Sequence, residues 1–231
     1  TTSLCFVSCH LTAHEGASMC RSRNESCAGI LENAKLGALR VAGKYLDVGH
    51  QFDHCFWFGD LNYRVDISDL LEAADDAPAA ADEPPSPKKL ERQPSKSAAH
   101  AEKAAKAAAK ARREKAIARI VAQARDDDYA ALGARDELER EVRAERALAG
   151  WTCPPCAFRP TFKVARGEAV EAYQTKRVPS YTDRVLYRSR SGLAAQSLRL
   201  DEYVSCPGMT SSDHKPVRAA FSVAPAPVHF G

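Results

Sequence analysis

The chain has 231 residues, of which 45% are hydrophobic and 27% charged, and its net charge is +3. This length and hydrophobic content allow one domain with a buried core. Because no apolar stretch approaches the ~20 residues that cross a bilayer, we expect a soluble chain without a transmembrane helix. Eight scattered cysteines in a chain too large to need disulfides predict a reducing, cytoplasmic compartment.

The first part of the chain has an α/β pattern. Residues 1–10 contain the apolar run CFV and are predicted to form a strand, which indicates that the chain begins inside a fold. A helix is predicted around Ser26 to Lys44, and the run HCFWFGDL at 54–61 predicts a buried strand. We expect residues 1–73 to form the middle part of a larger domain.

Residues 74–116 are predicted to be an insertion. The proline-rich stretch DDAPAAADEPPSPKKLERQPSK predicts disorder, and the alanine-rich stretch that follows predicts a helix. Residues 88–119 hold eleven Lys and Arg against three Glu, so the rest of the chain is net acidic. The helix places four basic residues along one face, which leaves open a solvated helix or a membrane-docking helix. These residues are Lys103, Lys106, Lys110 and Arg113.

The domain is predicted to resume at 117 and to end at 224, before a tail at 225–231. Helical patterning continues to Leu148, with core contacts expected at Ile117, Ile120, Val121, Leu132, Leu138 and Val142. The C-P-P-C at 153–156 fits a rigid turn, with a redox or half-zinc site as the alternative. Short strands are predicted for FRPTFKV, RVLYRS and VRAAFSV.

Polar residues follow the predicted strand at 54–61. Asp60 and Asn62 would point to the same side of an extended chain, where they could hold a water, accept its proton and donate to a phosphate oxygen. An Asx turn is the alternative, because Gly-Asp-x-Asn suits turns. At the end of the first strand, His10 is a candidate phosphate donor, whereas His14 fits a structural role equally well.

Two later segments add further candidate groups. The pair Asp213-His214 could keep the imidazole in one tautomer or charged, and either state suits phosphoryl transfer. A loop hydrogen bond is the alternative for this pair. Asp183 and Arg184 precede a strand and follow a basic loop, which predicts an anion site or else a solvated basic loop.

Together these segments resemble the inositol polyphosphate 5-phosphatase family, within the endonuclease/exonuclease/phosphatase superfamily. The resemblance rests on SCHLTAHE, RNE, FWFGDLNYR, AFRPTFKV, KRVPSYTDRVLY and SSDHKPV, in this order. It implies an α+β fold, a four-layer α/β/β/α sandwich that is incomplete at the N-terminus because the family's first half is missing. The first sheet would then lack strands and expose an apolar face, and this part alone could be unstable and inactive.

The resemblance implies a phosphomonoesterase that removes the 5-phosphate from phosphoinositides or inositol polyphosphates by Mg²⁺-assisted water attack. Asp60 would activate the water, Asn62 would position it, and His214 and His10 would contact the phosphate. Either Asp183 or Asp213 would orient His214. Mg²⁺ would bind Asp60 and Asp213, with the family's principal glutamate ligand expected upstream.

The family also implies a set of substrate-binding residues. Arg64 and Arg184 in this set could instead form structural ion pairs. The predicted set is Arg23, Asn24, Tyr63, Arg64, Lys176, Arg177, Arg184 and Lys215. The expected partners are a phosphoinositide or a soluble inositol polyphosphate, with an anionic membrane surface as an open addition and no nucleic acid. The alternatives are a phosphodiesterase or nuclease of the superfamily and a non-catalytic module that binds anionic lipid.

Overall fold

A computed structural model describes residues 2–36, 40–41, 44–72, 96–174, 176–193 and 197–224. The predicted disordered part of the insertion and the predicted tail lie outside these residues. The elements, in chain order, are β1 (Leu4–His10), α1 (Ala17–Asn33), β2 (Arg40–Val41), β3 (Lys44–Tyr45), α2 (Val48–Gln51), β4 (His54–Asp60), α3 (Ser68–Glu72), α4 (Lys96–Arg125), α5 (Tyr129–Gly133), α6 (Glu137–Arg143), β5 (Asp183–Ser189), β6 (Leu198–Ser205) and β7 (Val217–Val223).

The central sheet has three strands in the order β1-β4-β5. Strand β4 is parallel to β1 and antiparallel to β5. Strand β4 is the central strand, and its aromatic run fits this position because central strands are buried by the rest of the protein. Trp57 in this run is fully buried. In this register His10 pairs with Asp60, and Asp60 pairs with Asp183. Three polar residues that are distant in sequence therefore form one row at the end of the sheet.

A second, antiparallel sheet of β6 and β7 packs against one face of the first. The Phe221 ring lies 4.9 Å from that of Phe56 and 5.1 Å from that of Tyr187, in edge-to-face contacts that are favourable for aromatic pairs. Along β1 the same face is open, with Leu4 42% and Phe6 63% exposed. An apolar face is thus exposed on the first sheet, as predicted.

Helices and loops cover the remaining faces and complete two hydrophobic clusters. One cluster packs α1 against the first sheet and includes Cys27, Trp57 and Leu138. The other packs α4 and α5 against the loops that leave the sheet. All six core contacts predicted between 117 and 148 are confirmed, four as buried residues and Val121 and Val142 as half-buried ones. The α+β class is confirmed as well.

Two predicted elements differ from the structure. The first helix spans Ala17–Asn33, not Ser26 to Lys44, and Lys44 lies in β3. The chain leaves this helix where the Gln51 side chain donates a hydrogen bond to the Ala34 carbonyl, a tertiary contact that no local pattern reveals. The segment FRPTFKV is a loop with isolated bridges, because Phe162 pairs with both Ser180 and His214.

Strand β6 was not predicted at all. Among the described residues, no helix has both the length and the apolar character to cross a bilayer. The longest, α4, carries charged residues along most of its length.

Candidate active site

The row of His10, Asp60 and Asp183 forms one side of the candidate site. Each residue lies at the end of its strand, where the backbone leaves the sheet and the side chain can reach solvent. The His10 Nε2 atom lies 3.4 Å from the Asp60 Oδ2 atom. The row therefore brings two carboxylates and an imidazole to one edge of the sheet.

His214 completes the site from the segment before β7. Its Nδ1 atom lies 3.0 and 3.2 Å from the two carboxylate oxygens of Asp183. The hydroxyls of Thr161 and Thr182 donate to the same carboxylate at 2.7 and 3.0 Å, which fixes its orientation. Because a carboxylate can only accept here, Nδ1 carries the proton and Nε2 is the nitrogen that can face a substrate oxygen.

The electrostatics of this cluster favour acid–base chemistry. Burial, followed by repulsion from Asp183, raises the pKa of Asp60 above its usual value. The hydrogen bond to Asp183 raises the pKa of His214, so its cationic form persists to higher pH. A carboxylate of raised pKa is a stronger base, and an imidazolium is a good donor to a charged phosphoryl oxygen.

The same cluster can hold a divalent cation. Ligand atoms of Asp60, Asp183 and His214 all lie within 4.8 Å of one another. Nδ1 of His214 is engaged by Asp183, so the donors that remain are carboxylate oxygens, which Mg²⁺ prefers. A cation between the carboxylates would also relieve the repulsion that raises the pKa of Asp60. The donor set therefore fits a hard divalent ion.

The backbone after Asp60 turns sharply and is not extended. Gly59 has φ 130°, and a Cβ there would lie 2.1 Å from the Cys9 carbonyl oxygen, so this close approach of two strands requires glycine. Asn62 has φ 56°, and its N–H donates to the Asp60 Oδ1 atom at 3.1 Å. The extended geometry predicted for Asp60 and Asn62 is therefore wrong, and the Asx-turn alternative describes the loop.

The Asn62 carboxamide is buried and satisfied by protein groups. It donates to the Leu11 carbonyl at 3.0 Å and accepts from Arg64 at 2.7 Å. These contacts connect the segments that follow β1 and β4, so the Asn62 side chain stabilises the loop that begins at Asp60. Its direct contact with substrate stays a prediction.

Asp213 lies outside the cluster. Its carboxylate pairs with Lys163 at 2.8 Å and Arg166 at 3.4 Å, and the hydrogen bond from Lys163 lowers its pKa to about 2. Of the two carboxylates left open as partners of His214, the structure brings Asp183 to the imidazole. The metal cluster likewise contains Asp183 in the place expected for Asp213.

Two arginines predicted to bind substrate are buried in the protein framework. Arg23 is fully buried, pairs with Glu137 at 2.7 Å and donates to the carbonyls of Thr12 and His14. Arg184 pairs with Asp136 at 2.8 Å, with neither side chain exposed. Arg184 therefore forms the structural ion pair that was the alternative to substrate binding. Arg23 also forms a buried structural ion pair.

Three further residues that were predicted to bind substrate, Asn24, Tyr63 and Lys215, form hydrogen bonds with protein groups. The Tyr63 hydroxyl donates to Asn24 at 2.8 Å, and the Asn24 amide donates to Glu141 at 2.8 Å. Lys215 is fully buried, and its Nζ atom donates to three backbone carbonyls of neighbouring loops. By contrast, Lys176 and Arg177 are exposed. Of the predicted basic set, these two are therefore the accessible ones.

The loop at 160–164 contributes contacts that the sequence did not reveal. The Phe162 ring lies between the Arg64 guanidinium, 4.7 Å from the ring centroid, and the His214 ring, whose centroid is also 4.7 Å away. Thr161, next to it, holds Asp183. These residues belong to the segment AFRPTFKV of the family resemblance, within which a strand was predicted.

The C-P-P-C segment is an irregular stretch of chain with two free thiols. Cys153 Sγ accepts a hydrogen bond from Arg184 at 3.2 Å, and burial raises the pKa of this thiol to about 11. Cys156 is buried, and burial raises its pKa further. All eight cysteines are free. The raised pKa values of both thiols argue against a redox pair, but residues 153–156 form no turn, so the rigid-turn prediction is not confirmed.

Comparison with known proteins identifies the family. The model of Endonuclease/Exonuclease/phosphatase family 2 matches residues 1–83 and 107–220. The chain belongs to this family. Residues 84–106, within the predicted insertion, fall between the two matched parts.

Curated relatives agree with the motif resemblance. The human phosphatidylinositol polyphosphate 5-phosphatase type IV is 29% identical over 182 residues, covering 78% of this chain and 21% of the relative. The human phosphatidylinositol 3,4,5-trisphosphate 5-phosphatase 1 is 27% identical, covering 95% of this chain and 15% of the relative. The chain thus spans about a quarter or less of these relatives. The resemblance to inositol polyphosphate 5-phosphatases is confirmed.

Solved structures show the fold. The inositol polyphosphate 5-phosphatase domain of spSynaptojanin, crystallised with inositol (1,4)-bisphosphate and calcium ion, matches with a TM-score of 0.57 and 22% identity over 96% of this chain and 48% of that chain. A Cimex nitrophorin ferrous NO complex matches with a TM-score of 0.51 and 20% identity, covering 94% of this chain and 53% of that one. The endonuclease/exonuclease/phosphatase-type sandwich is therefore confirmed, and function must be argued from the site.

Proposed function

We propose that the protein is a phosphomonoesterase that removes the 5-phosphate from phosphoinositides or inositol polyphosphates. The observation that carries this proposal is the convergence of Asp60, Asp183 and His214 at one solvent-accessible edge. The relatives, all named for 5-phosphatase activity, support the choice of substrate class. Lipid and soluble substrates present the same phosphomonoester to this edge.

In the proposed reaction, Asp60 orients the attacking water and accepts its proton. Its carboxylate lies at the end of β4, within 4.8 Å of the ligand atoms of Asp183 and His214, which supports this role. His214, held by Asp183, donates from Nε2 to an oxygen of the phosphoryl group and stabilises its charge. His10 is proposed as a further donor to the same phosphate, which is supported by its position 3.4 Å from the Asp60 carboxylate.

The proposed cofactor is Mg²⁺. Asp60 and Asp183 are the residues of this chain that would hold it, because their carboxylates face the same space. The ion would neutralise charge that develops on the phosphate and leaving-group oxygens. Lys176 and Arg177, the exposed members of the predicted basic set, are proposed to bind neighbouring phosphates of the inositol ring.

We further propose a cytoplasmic, reducing compartment. Eight free cysteines, five of them buried, support this placement, since an oxidising compartment would favour disulfides.

The test is the release of inorganic phosphate by the protein with Mg²⁺ from inositol phosphates that carry or lack a 5-phosphate. We expect release only from the 5-phosphorylated isomers, and loss of activity on addition of a chelator. Cleavage of abasic DNA in place of phosphate release would instead indicate a nuclease of the same superfamily. Release from isomers without a 5-phosphate would contradict the proposed specificity.

A further inference from the structure

One face of α4 changes character along its length. The residues on this face recur with spacings of three and four, which places them in a single stripe of the helix. In the C-terminal half the stripe is apolar and packs into the core, with Ile117 2% exposed and Ile120 and Ala124 fully buried. In the N-terminal half the same stripe consists of basic residues, namely Lys103, Lys106, Lys110 and Arg113.

The described side chains in the N-terminal part of α4 are exposed on every face of the helix. Residues 100–111 are all exposed, and the Lys106 and Lys110 side chains are 76% and 78% exposed. At 1.5 Å per residue, the helix carries its stripe ~15 Å from Arg113 to Lys103. Lys103, Lys106 and Lys110 therefore form an exposed basic ledge in line with the buried stripe of the C-terminal half.

An ion pair joins the base of this ledge to the loop of the candidate site. Arg113 Nη2 lies 2.5 Å from Glu15 Oε2, and Glu15 belongs to the loop that follows His10. The carbonyls of Thr12 and His14 in the same loop are held by the buried Arg23. The ledge thus begins beside the loop that follows β1 and its terminal residue His10.

We propose that the ledge binds the headgroups of an anionic phospholipid membrane. Between residues 100 and 115 the helix has six basic residues and two Glu, which leaves a net charge of +4. The two Glu pair with Lys106 and Lys110 at exposed positions, where such pairs are weak. Protein interfaces are depleted in lysine and rely on aromatic and arginine anchors, whereas clustered lysines next to a small alanine surface suit a negatively charged leaflet. A lipid surface is therefore favoured over an acidic protein.

The ledge is a feature of this chain more than of its family. Lys103 and Lys106 lie in the segment that the family model does not match. The inference rests on the proposed function for its purpose, since a membrane bound at the ledge would present a phosphoinositide to Asp60 and His214. Membrane binding itself needs no catalysis and can be measured separately.

The experiment is co-sedimentation of the protein with phosphatidylcholine vesicles, with and without phosphatidylserine, and without any phosphoinositide. The test variant is Lys103→Gln/Lys106→Gln/Lys110→Gln. We expect the unsubstituted protein to bind only the vesicles with phosphatidylserine, and the variant to bind on the order of 100-fold more weakly. Binding should also fall steeply with added salt.

A matched control removes the same charge elsewhere. Arg143, Arg199 and Arg218 have side chains 79%, 73% and 62% exposed, and their change to Gln should leave vesicle binding nearly intact. Equal losses in both triple variants, no binding of the unsubstituted protein, or retention on polyglutamate with no retention on vesicles would overturn the proposal. Unchanged hydrolysis of a soluble substrate by the ledge variant would show that any loss concerns the membrane, whatever the outcome for the proposed activity.

Discussion

The candidate site and the buried framework behind it are built from the same kinds of residue, but they differ in how charge is matched. In the framework, Arg23 with Glu137 and Arg184 with Asp136 are buried pairs of opposite charge. At the site, two carboxylates face each other and share one histidine. In the framework each buried charge has a partner, so that removing one partner is costly. Like charges at a solvent-accessible edge are typical of functional sites.

Two sequence motifs each contribute one residue to the site and one to the framework. In FGDLNYR, Asp60 goes to the site and Arg64 to the framework; in SYTDRVLY, Asp183 goes to the site and Arg184 to the framework. Strand alternation explains the second case, because neighbouring residues of β5 point to opposite faces. Adjacency in a motif therefore says little about a shared role.

The largest expected effect is on catalysis. Changing Asp60→Asn should lower kcat by ~10³-fold, because the base is lost. The free energy of unfolding should stay within ~1 kcal/mol or rise, because repulsion with Asp183 is removed. Phosphate release and urea denaturation measure the two quantities, with Asp201→Asn as a control far from the cluster. A large loss of stability would place Asp60 in the framework instead.

The framework should show the opposite pattern. Changing Arg184→Met should lower the free energy of unfolding by ~3 kcal/mol, because Asp136 would be left as an unpaired buried charge. Thermal or urea denaturation measures the change, and Arg199→Met, at a side chain 73% exposed, serves as the control. If the variant were as stable as the unsubstituted protein but bound substrate more weakly, Arg184 would be a substrate-binding residue, as first predicted.

A smaller effect is expected where the two regions meet. Phe162 separates Arg64 of the framework from His214 of the site, so Phe162→Leu should lower kcat about tenfold with KM nearly unchanged. Phe162→Tyr keeps the ring and should restore most of the rate. Equal defects in both variants would mean that ring stacking does not position His214.

The smallest effect concerns stability in acid. Hydrogen bonds from Arg146, then from Asn24, lower the pKa of Glu141 from 4.5 to about 2. Since the folded-state pKa is depressed, this contribution is present above pH ~4.5 and is lost as the pH falls towards 2. Glu141→Gln should therefore cost ~1 kcal/mol at pH 7, and the difference from the unsubstituted protein should vanish near pH 2. A pH-independent difference would contradict this assignment.

The sequence predicted those features that depend on local pattern. Aromatic and apolar runs located β4, β5 and β7, and helical spacing located Ile117, Ile120 and Leu132 in the core. The approach of His214 to Asp60 came from the family resemblance, because their separation of 154 residues leaves no local signal. The partner of His214 could not be decided, since Asp183 and Asp213 fit the sequence equally well.

What was missed depends on tertiary contacts. The burial of Arg23 is set by Glu137, more than a hundred residues away. The turn at Asn62 is set by a side-chain hydrogen bond and by the close approach of Cys9 to Gly59. The partner of Arg23 is not visible in spacing or composition. The turn at Asn62 was one of two alternatives that Gly-Asp-x-Asn left open, and the tertiary contacts decide between them.

The central claim is that Asp60 and His214 act on one phosphorus atom as a unit. The most direct test is a double-mutant cycle on kcat for phosphate release, with Asp60→Asn, His214→Ala and the two combined. Residues that act together are strongly non-additive, so the double variant should be about as slow as the slower single one. Multiplication of the two single effects, or retention of full activity by either single variant, would contradict the claim.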